Sequence, residues 1–183
     1  ISRMPPTLSA RTSTGVRSRA TRGVGMTRVA TSLWFDGGIE EAAALYVSLV
    51  PGSEILQTSR YPDDAAFPGG KGGQALTVDL TIGGHAVTLL NGGPAFPLSE
   101  AVSLVLEVEG QAEIDRLWDA LLEGGGRESQ CGWLVDRFGL SWQIVPASMG
   151  RLMSGPNAGA VTQALMTMTK IDVGELERAS AGS

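Results

Sequence analysis

Apolar residues recur along the chain with two alternating periods, and the switches between them mark out the elements. Val29 to Phe35 is a short β-branched and aromatic run that predicts a strand, broken by Asp36-Gly37-Gly38. The spacing then becomes helical: Ile39, Ala42, Ala43, Tyr46 and Leu49 fall on one stripe, with Glu40 and Glu41 in the first turn, where the helix dipole favours acids. Pro51-Gly52 stops that helix. Glu54 to Tyr61 is a strand of mixed pattern, and residues 62–73, with two prolines and four glycines, predict a mobile loop. Gln74 to Ile82 alternates cleanly, with Leu76, Val78, Leu80 and Ile82 on one face and Thr77, Asp79 and Thr81 on the other. Gly83-Gly84 is a two-residue hairpin signal, and His85 to Leu90 returns as its partner.

After an Asn91-Gly92-Gly93-Pro94 loop the order begins again. Ala101 to Glu109 alternates, with Val102, Leu104, Leu106 and Val108 inward and Ser103, Glu107 and Glu109 outward. Ile114, Leu117, Trp118, Leu121 and Leu122 stripe a second helix that ends at Gly124-Gly125-Gly126. A hairpin follows from Gln130 to Pro146. With Asp136-Arg137-Phe138-Gly139 as its loop, Val135 faces Leu140 and the register is set. Cys131, Trp133, Val135, Leu140, Trp142 and Ile144 then share an apolar face, with Trp133 opposite Trp142. Gln130, Gly132, Leu134, Ser141, Gln143 and Val145 share a mixed face, which either lines a cleft or simply faces water. Beyond Pro146 one or two helices carry the stripe Val161, Ala164, Leu165 and Met168, before a last segment from Ile171 to Ala179.

Strand, helix and three strands thus occur twice, over about 29–91 and 101–146, with helices over 147–179. At 183 residues the chain is one domain, or two small modules fused. Each helix covers the apolar face of its own sheet. The mixed faces, with Thr77, Asp79, Ser103, Glu107, Ser141 and Gln143, are left to enclose a cleft.

Charge separates a leader from this body. Residues 1–28 hold six arginines and no acid, while residues 29–183 hold 8 basic and 19 acidic residues, 8 − 19 giving −11. So acidic a body does not bind nucleic acid through bulk charge. The leader is rich in Ser, Thr, Gly and Pro without period, and is expected to be disordered. It has the Arg-rich, acid-poor look of a transit peptide. The favoured reading takes Met26 as the working start and the leader as vector-derived or over-called sequence; a basic tail that meets acidic partners is the weaker one. No apolar run reaches about 18 residues, so no membrane span is expected. One cysteine gives no internal disulfide and fits a reducing, cytoplasmic compartment, and one Cys with one His cannot make a zinc finger. Pro68-Gly69-Gly70-Lys71-Gly72-Gly73 lacks the Ser or Thr and the following helix of a phosphate loop.

Four stretches together resemble one family. They are Leu33-Trp34-Phe35-Asp36-Gly37 with the helix from Glu40 to Tyr46; Leu90-Asn91-Gly92-Gly93-Pro94-Ala95-Phe96; Gln130-Cys131-Gly132-Trp133 with Phe138 to Pro146; and Met168 through Lys170-Ile171-Asp172 to Leu176-Glu177-Arg178-Ala179. The resemblance is to the PhnB-like branch of the vicinal oxygen chelate (glyoxalase/bleomycin-resistance) superfamily, which also carries the label 3-demethylubiquinone-9 3-methyltransferase. It runs from about Val29 to Ala179 and implies an α+β domain over 29–179, two βαβββ modules forming an open glyoxalase-like barrel with C-terminal helices, and a homodimer.

Metal-dependent relatives hold a divalent ion with His and Glu on inward-facing strand positions. Here the first strand has neither, the fourth offers Thr88 and Asn91, Ser103 stands near where a His would, and Gln143 stands where a Glu would. Amides and hydroxyls are weak ligands, so no metal and no cofactor are expected. His85 reads as a solvent-facing residue at a strand start. Asp79 and Glu107 are the remaining acids of the mixed face, as base, weak ligand or solvated charge. For the methyltransferase label, Asp36-Gly37-Gly38 joins a strand to a helix without the spaced glycines of a nucleotide turn, and Gly23-Val24-Gly25 follows no strand.

The resulting expectation is a metal-free protein that binds an unknown small molecule in a cleft lined by Trp34, Asn91, Gly92, Ser103, Ser141 and Gln143, with Gln143 orienting the ligand. Two alternatives stand beside it. One is an enzyme: a lyase or isomerase with a divalent ion on Asp79 or Glu107, or a methyltransferase using S-adenosylmethionine. The other is a structural dimer with a closed, dry cleft.

Overall fold

The computed structural model describes residues 27–64 and 67–182, so the reading of the leader falls almost wholly outside the described residues. The first module runs β1 (Thr31–Phe35), α1 (Ile39–Leu49), β2 (Glu54–Arg60), β3 (Ala75–Ile82) and β4 (His85–Asn91). The second runs β5 (Ser103–Val108), α2 (Gln111–Leu122), β6 (Arg127–Glu128), β7 (Trp133–Val135) and β8 (Ser141–Pro146). Three helices follow: α3 (Met149–Ser154), α4 (Ala158–Leu165) and α5 (Val173–Ala181). No described helix is long and apolar enough to cross a membrane.

Each module is one four-stranded sheet, in the orders β1-β4-β3-β2 and β5-β8-β7-β6. The first strand of each lies parallel to the last, since a helix and two strands separate them, and the other neighbours are antiparallel. No strand of one sheet hydrogen-bonds a described strand of the other, so no closed barrel forms.

The helical stripes are buried as their spacing predicts. Helix α1 buries Ile39, Ala42, Ala43 and Tyr46, and α2 buries Ile114, Leu117, Trp118 and Leu121. Every large side chain so buried contributes about 1.5–3 kcal/mol relative to exposure. Leu152, Val161, Met168, Ile171 and Leu176 carry the C-terminal helices onto the same core. Asp172 caps α5 by accepting the Glu175 N–H at 2.8 Å.

The last hairpin corrects the expected register by one residue. Its loop has three residues, not four: the Asp136 N–H donates to Leu140 O at 2.9 Å, and Gly139, at φ +91°, donates to Asp136 O at 3.0 Å. Val135 therefore pairs with Ser141, Leu134 with Trp142 and Trp133 with Gln143. Leu134 moves into the core with Leu140, Trp142 and Ile144, while Trp133 and Val135 join the face of Ser141 and Gln143. The expected Trp133–Trp142 pair does not form, and the ring against Trp142 is Tyr46, at 5.0 Å between centroids. Cys131, with φ +58°, leaves the ladder altogether. Its N–H and that of Gly132 bond Met168 O and Thr169 O at 2.7 and 2.8 Å.

The modules meet at Asp136, 3% exposed. Its Oδ1 accepts the N–H groups of Phe138 and Leu140 at 2.9 and 3.0 Å. Its Oδ2 accepts the Tyr46 hydroxyl at 2.7 Å and the Trp142 indole N–H at 2.9 Å. Burial first, then the nearby carboxylate, holds the Tyr46 phenol well above its ordinary range.

Candidate functional site

On each sheet the face away from the helix carries the polar residues. In the first, ladder pairing puts Ser32, Thr88, Asp79 and Gln57 side by side. The Thr88 hydroxyl donates to Asp79 Oδ1 at 2.5 Å. Above them lies an open pocket of about 370 Å³, lined by Arg28, Leu56, Gln57, Asp79, Ala86 and Thr88 among others of the same module. Leu56, on its wall, is 49% exposed.

In the second sheet the parallel pairing sets Ser103 beside Ser141, Val105 beside Gln143 and Glu107 beside Val145. The Gln143 amide Nε2 donates to Ser103 Oγ at 2.8 Å. That leaves the amide oxygen free to accept and the serine proton free to be donated. Val105 between them is 50% exposed. Ser141 is sealed, at 1% exposure, and its Oγ finds no hydrogen-bond partner. Glu107 is exposed.

Other residues singled out in the sequence are placed elsewhere. Asn91 pairs with Phe35, so its side chain lies on the helix side of the first sheet, opposite Thr88 and Asp79. Its amide is spent on structure, accepting the Gly37 N–H at 3.1 Å and donating to Ala75 O at 3.2 Å. The Trp34 indole packs directly against Gly92, where a Cβ would stand 2.2 Å from it; any side chain there would displace the ring. The indole N–H donates to Gly93 O at 2.7 Å. His85 is exposed at the start of β4, with Nε2 2.9 Å from Thr31 Oγ1.

The sequence reading missed the role of Asp136 beyond its turn. Its signal was present: Tyr46 and Trp142 both fall on core stripes, and a buried phenol and indole each require a polar partner.

A divalent ion does not suit these walls. They offer hydroxyls, the amides of Gln57 and Gln143, the latter with its nitrogen already facing Ser103, and two carboxylates, Asp79 and Glu107, on different sheets. Among the described residues, no three His, Cys, Asp or Glu side chains stand together as a metal site. The crevice of an open parallel sheet that holds nucleotide cofactors has no counterpart here either, because each sheet contains a single parallel pair. At the first strand-to-helix turn, the Gly37 N–H is taken by Asn91, and Glu40 and Glu41 occupy the first turn.

The family model described as 3-demethylubiquinone-9 3-methyltransferase matches residues 27–145. A putative 3-demethylubiquinone-9 3-methyltransferase, PhnB protein, from Bacillus cereus is 30% identical, with a TM-score of 0.59 over 66% of this chain and 100% of that one. Protein PA1353 from Pseudomonas aeruginosa is 25% identical, with a TM-score of 0.54 over 66% of this chain and 98% of that one. The comparison with curated proteins finds no match. With two βαβββ modules and those matches, the chain belongs to the PhnB-like, 3-demethylubiquinone-9 3-methyltransferase family of the glyoxalase fold.

Proposed function

We propose that this protein is a metal-free, cytoplasmic, homodimeric binder of a small organic molecule. The observation that carries the reading is the Gln143–Ser103 pair, with the half-exposed Val105 beside it on the same face. An amide held by a hydroxyl has lost most of its rotational freedom, so it meets a ligand already oriented, with one acceptor and one donor to offer. Asp79, held by Thr88, supplies a second fixed acceptor on the wall of the first module.

The two walls belong to different sheets, and the pocket over Asp79 is lined by the first module alone. In the proposed homodimer the cleft closes when the first-module wall of one copy meets the second-module wall of another. Exposed Leu56 and Val105, one on each wall, are the apolar area that such an encounter covers. β1 and β5 each lie at a sheet edge, with one side of their backbone unpaired within the sheet. The lone cysteine fits a reducing compartment.

Methyl transfer is the second reading, carried by the name of the family model. The two separate by calorimetry and thermal shift on chelator-treated protein. The binding reading expects hits from a small-molecule library that Gln143→Ala abolishes, and no heat with S-adenosylmethionine. Micromolar binding of that cofactor, or binding that returns only with a divalent metal, refutes it.

A further inference from the structure

The loop after β4 builds a second cavity, separate from both polar walls. It holds about 350 Å³ between that loop and the tip of the last hairpin, lined by Trp34, Asp36, Pro94, Phe96, Leu98 and Phe138 among others. Its walls are fixed in advance. The N–H groups of Gly92 and Gly93 both donate to Phe35 O, at 3.0 and 3.2 Å, and Gly93 O accepts from Trp34. Phe96, although 65% exposed, is held edge-on to Trp34, with centroids 5.0 Å apart at 85°. A large aromatic ring left in water at the mouth of a preformed cavity is a feature of binding sites rather than of cores.

The chemistry of the lining selects the guest. The side chains named offer π-faces, a proline ring, an aliphatic chain and one ionisable group, the Asp36 carboxylate. The single indole N–H is already used. A guest that must accept hydrogen bonds finds no side-chain donor among them, whereas a cation finds a carboxylate and electron-rich rings. The Phe138 ring is already occupied, with the Arg137 guanidinium carbon 4.6 Å from its centroid, so the aromatic contacts left to a guest are Trp34 and Phe96. The surrounding body is strongly acidic, which draws cations toward it. We propose that this cavity is a binding site for a small aromatic cation, an arylalkyl ammonium, with Asp36 as counter-ion and Trp34 and Phe96 as its aromatic wall.

The probe is benzyltrimethylammonium, with benzyl alcohol and phenylacetate as neutral and anionic controls of similar size, followed by ¹H–¹⁵N NMR of the full chain. The expected result is saturable binding of the cation alone, with shifts confined to residues 34–38, 93–98 and 138–139. Asp36→Asn and Phe96→Ala, both at exposed positions and so compatible with folding, should each weaken it by roughly threefold or more. Signals of Thr88, Ser103 and Gln143 should stay in place, so this test stands or falls independently of the polar cleft. Phenylacetate or benzyl alcohol binding as well as the cation, or an unchanged affinity in Asp36→Asn, overturns the proposal. So do shifts at Phe96 that track protein concentration instead of probe, because a second copy then fills the cavity.

Discussion

Tyr46, on the first helix, donates a hydroxyl hydrogen bond to Asp136, 90 residues further along, at 2.7 Å. That bond, with Trp142 on the same carboxylate oxygen, ties the two modules through a buried charge that four donors satisfy. A buried carboxylate is tolerated only when it is hydrogen-bonded in this way, and removing it strands every donor at once. Asp136→Ala should therefore destabilise by about 3 kcal/mol or more, and Tyr46→Phe by about 1–2 kcal/mol. Urea unfolding reads both. A near-neutral Asp136→Ala would show that the carboxylate does not join the modules.

The same bond sets a pH dependence. The folded Tyr46 phenol is held above its ordinary value of 10.0, so the native state keeps a proton that the unfolded chain gives up. Above about pH 10 the unfolded state then binds fewer protons, and stability falls as pH rises. The stabilisation is fully present below that point and is lost as the pH climbs towards the folded value. Denaturation midpoints at pH 9 and pH 11 should fall more for the wild type than for Tyr46→Phe; equal falls would contradict the assignment.

Ser141 makes the opposite case. Its hydroxyl is sealed without a partner, so deleting it removes a desolvated donor and costs no bond. Ser141→Ala should be neutral or stabilising by up to about 1 kcal/mol in the free protein. A loss of similar size would mean that the hydroxyl is satisfied by bound water.

Gly92→Ala should disturb the loop after β4 without touching the core. The added carbon would stand 2.2 Å from the Trp34 ring, so the indole must leave Gly93 O. The cost is about 1–3 kcal/mol, the usual range for overpacking. Near-UV circular dichroism should lose a tryptophan band, and an unchanged spectrum would show that the ring does not lie there.

Much of this was legible in the chain because helices and alternating strands announce themselves by period. The stripes of α1 and α2 are an instance: Tyr46 and Trp118 lie where the 3.6-residue spacing puts them. The hairpin register was not legible. Asp136 to Gly139 closes equally well as a four- or a three-residue loop, and the choice rests on a carboxylate whose partner, Tyr46, lies in the other module. Asn91 could have been excluded from the polar face by parity alone, since Thr88 lies three residues away on the same strand and must point the other way. The pairing of Gln143 with Ser103 needed the parallel register of β5 and β8, which no local pattern encodes.

The proposed cleft, shared between two copies, is tested most directly by mixing variants. Thr88→Ala damages the first-module wall and Gln143→Ala the second, so each alone should bind a screened ligand poorly. When the two are denatured and refolded together, half of the dimers are mixed, and each mixed dimer holds one cleft with both walls intact. Roughly a quarter of the wild-type binding capacity, at wild-type affinity, should return. If each chain builds its cleft from its own two walls, no intact cleft is regenerated and capacity stays at the level of the variants measured alone.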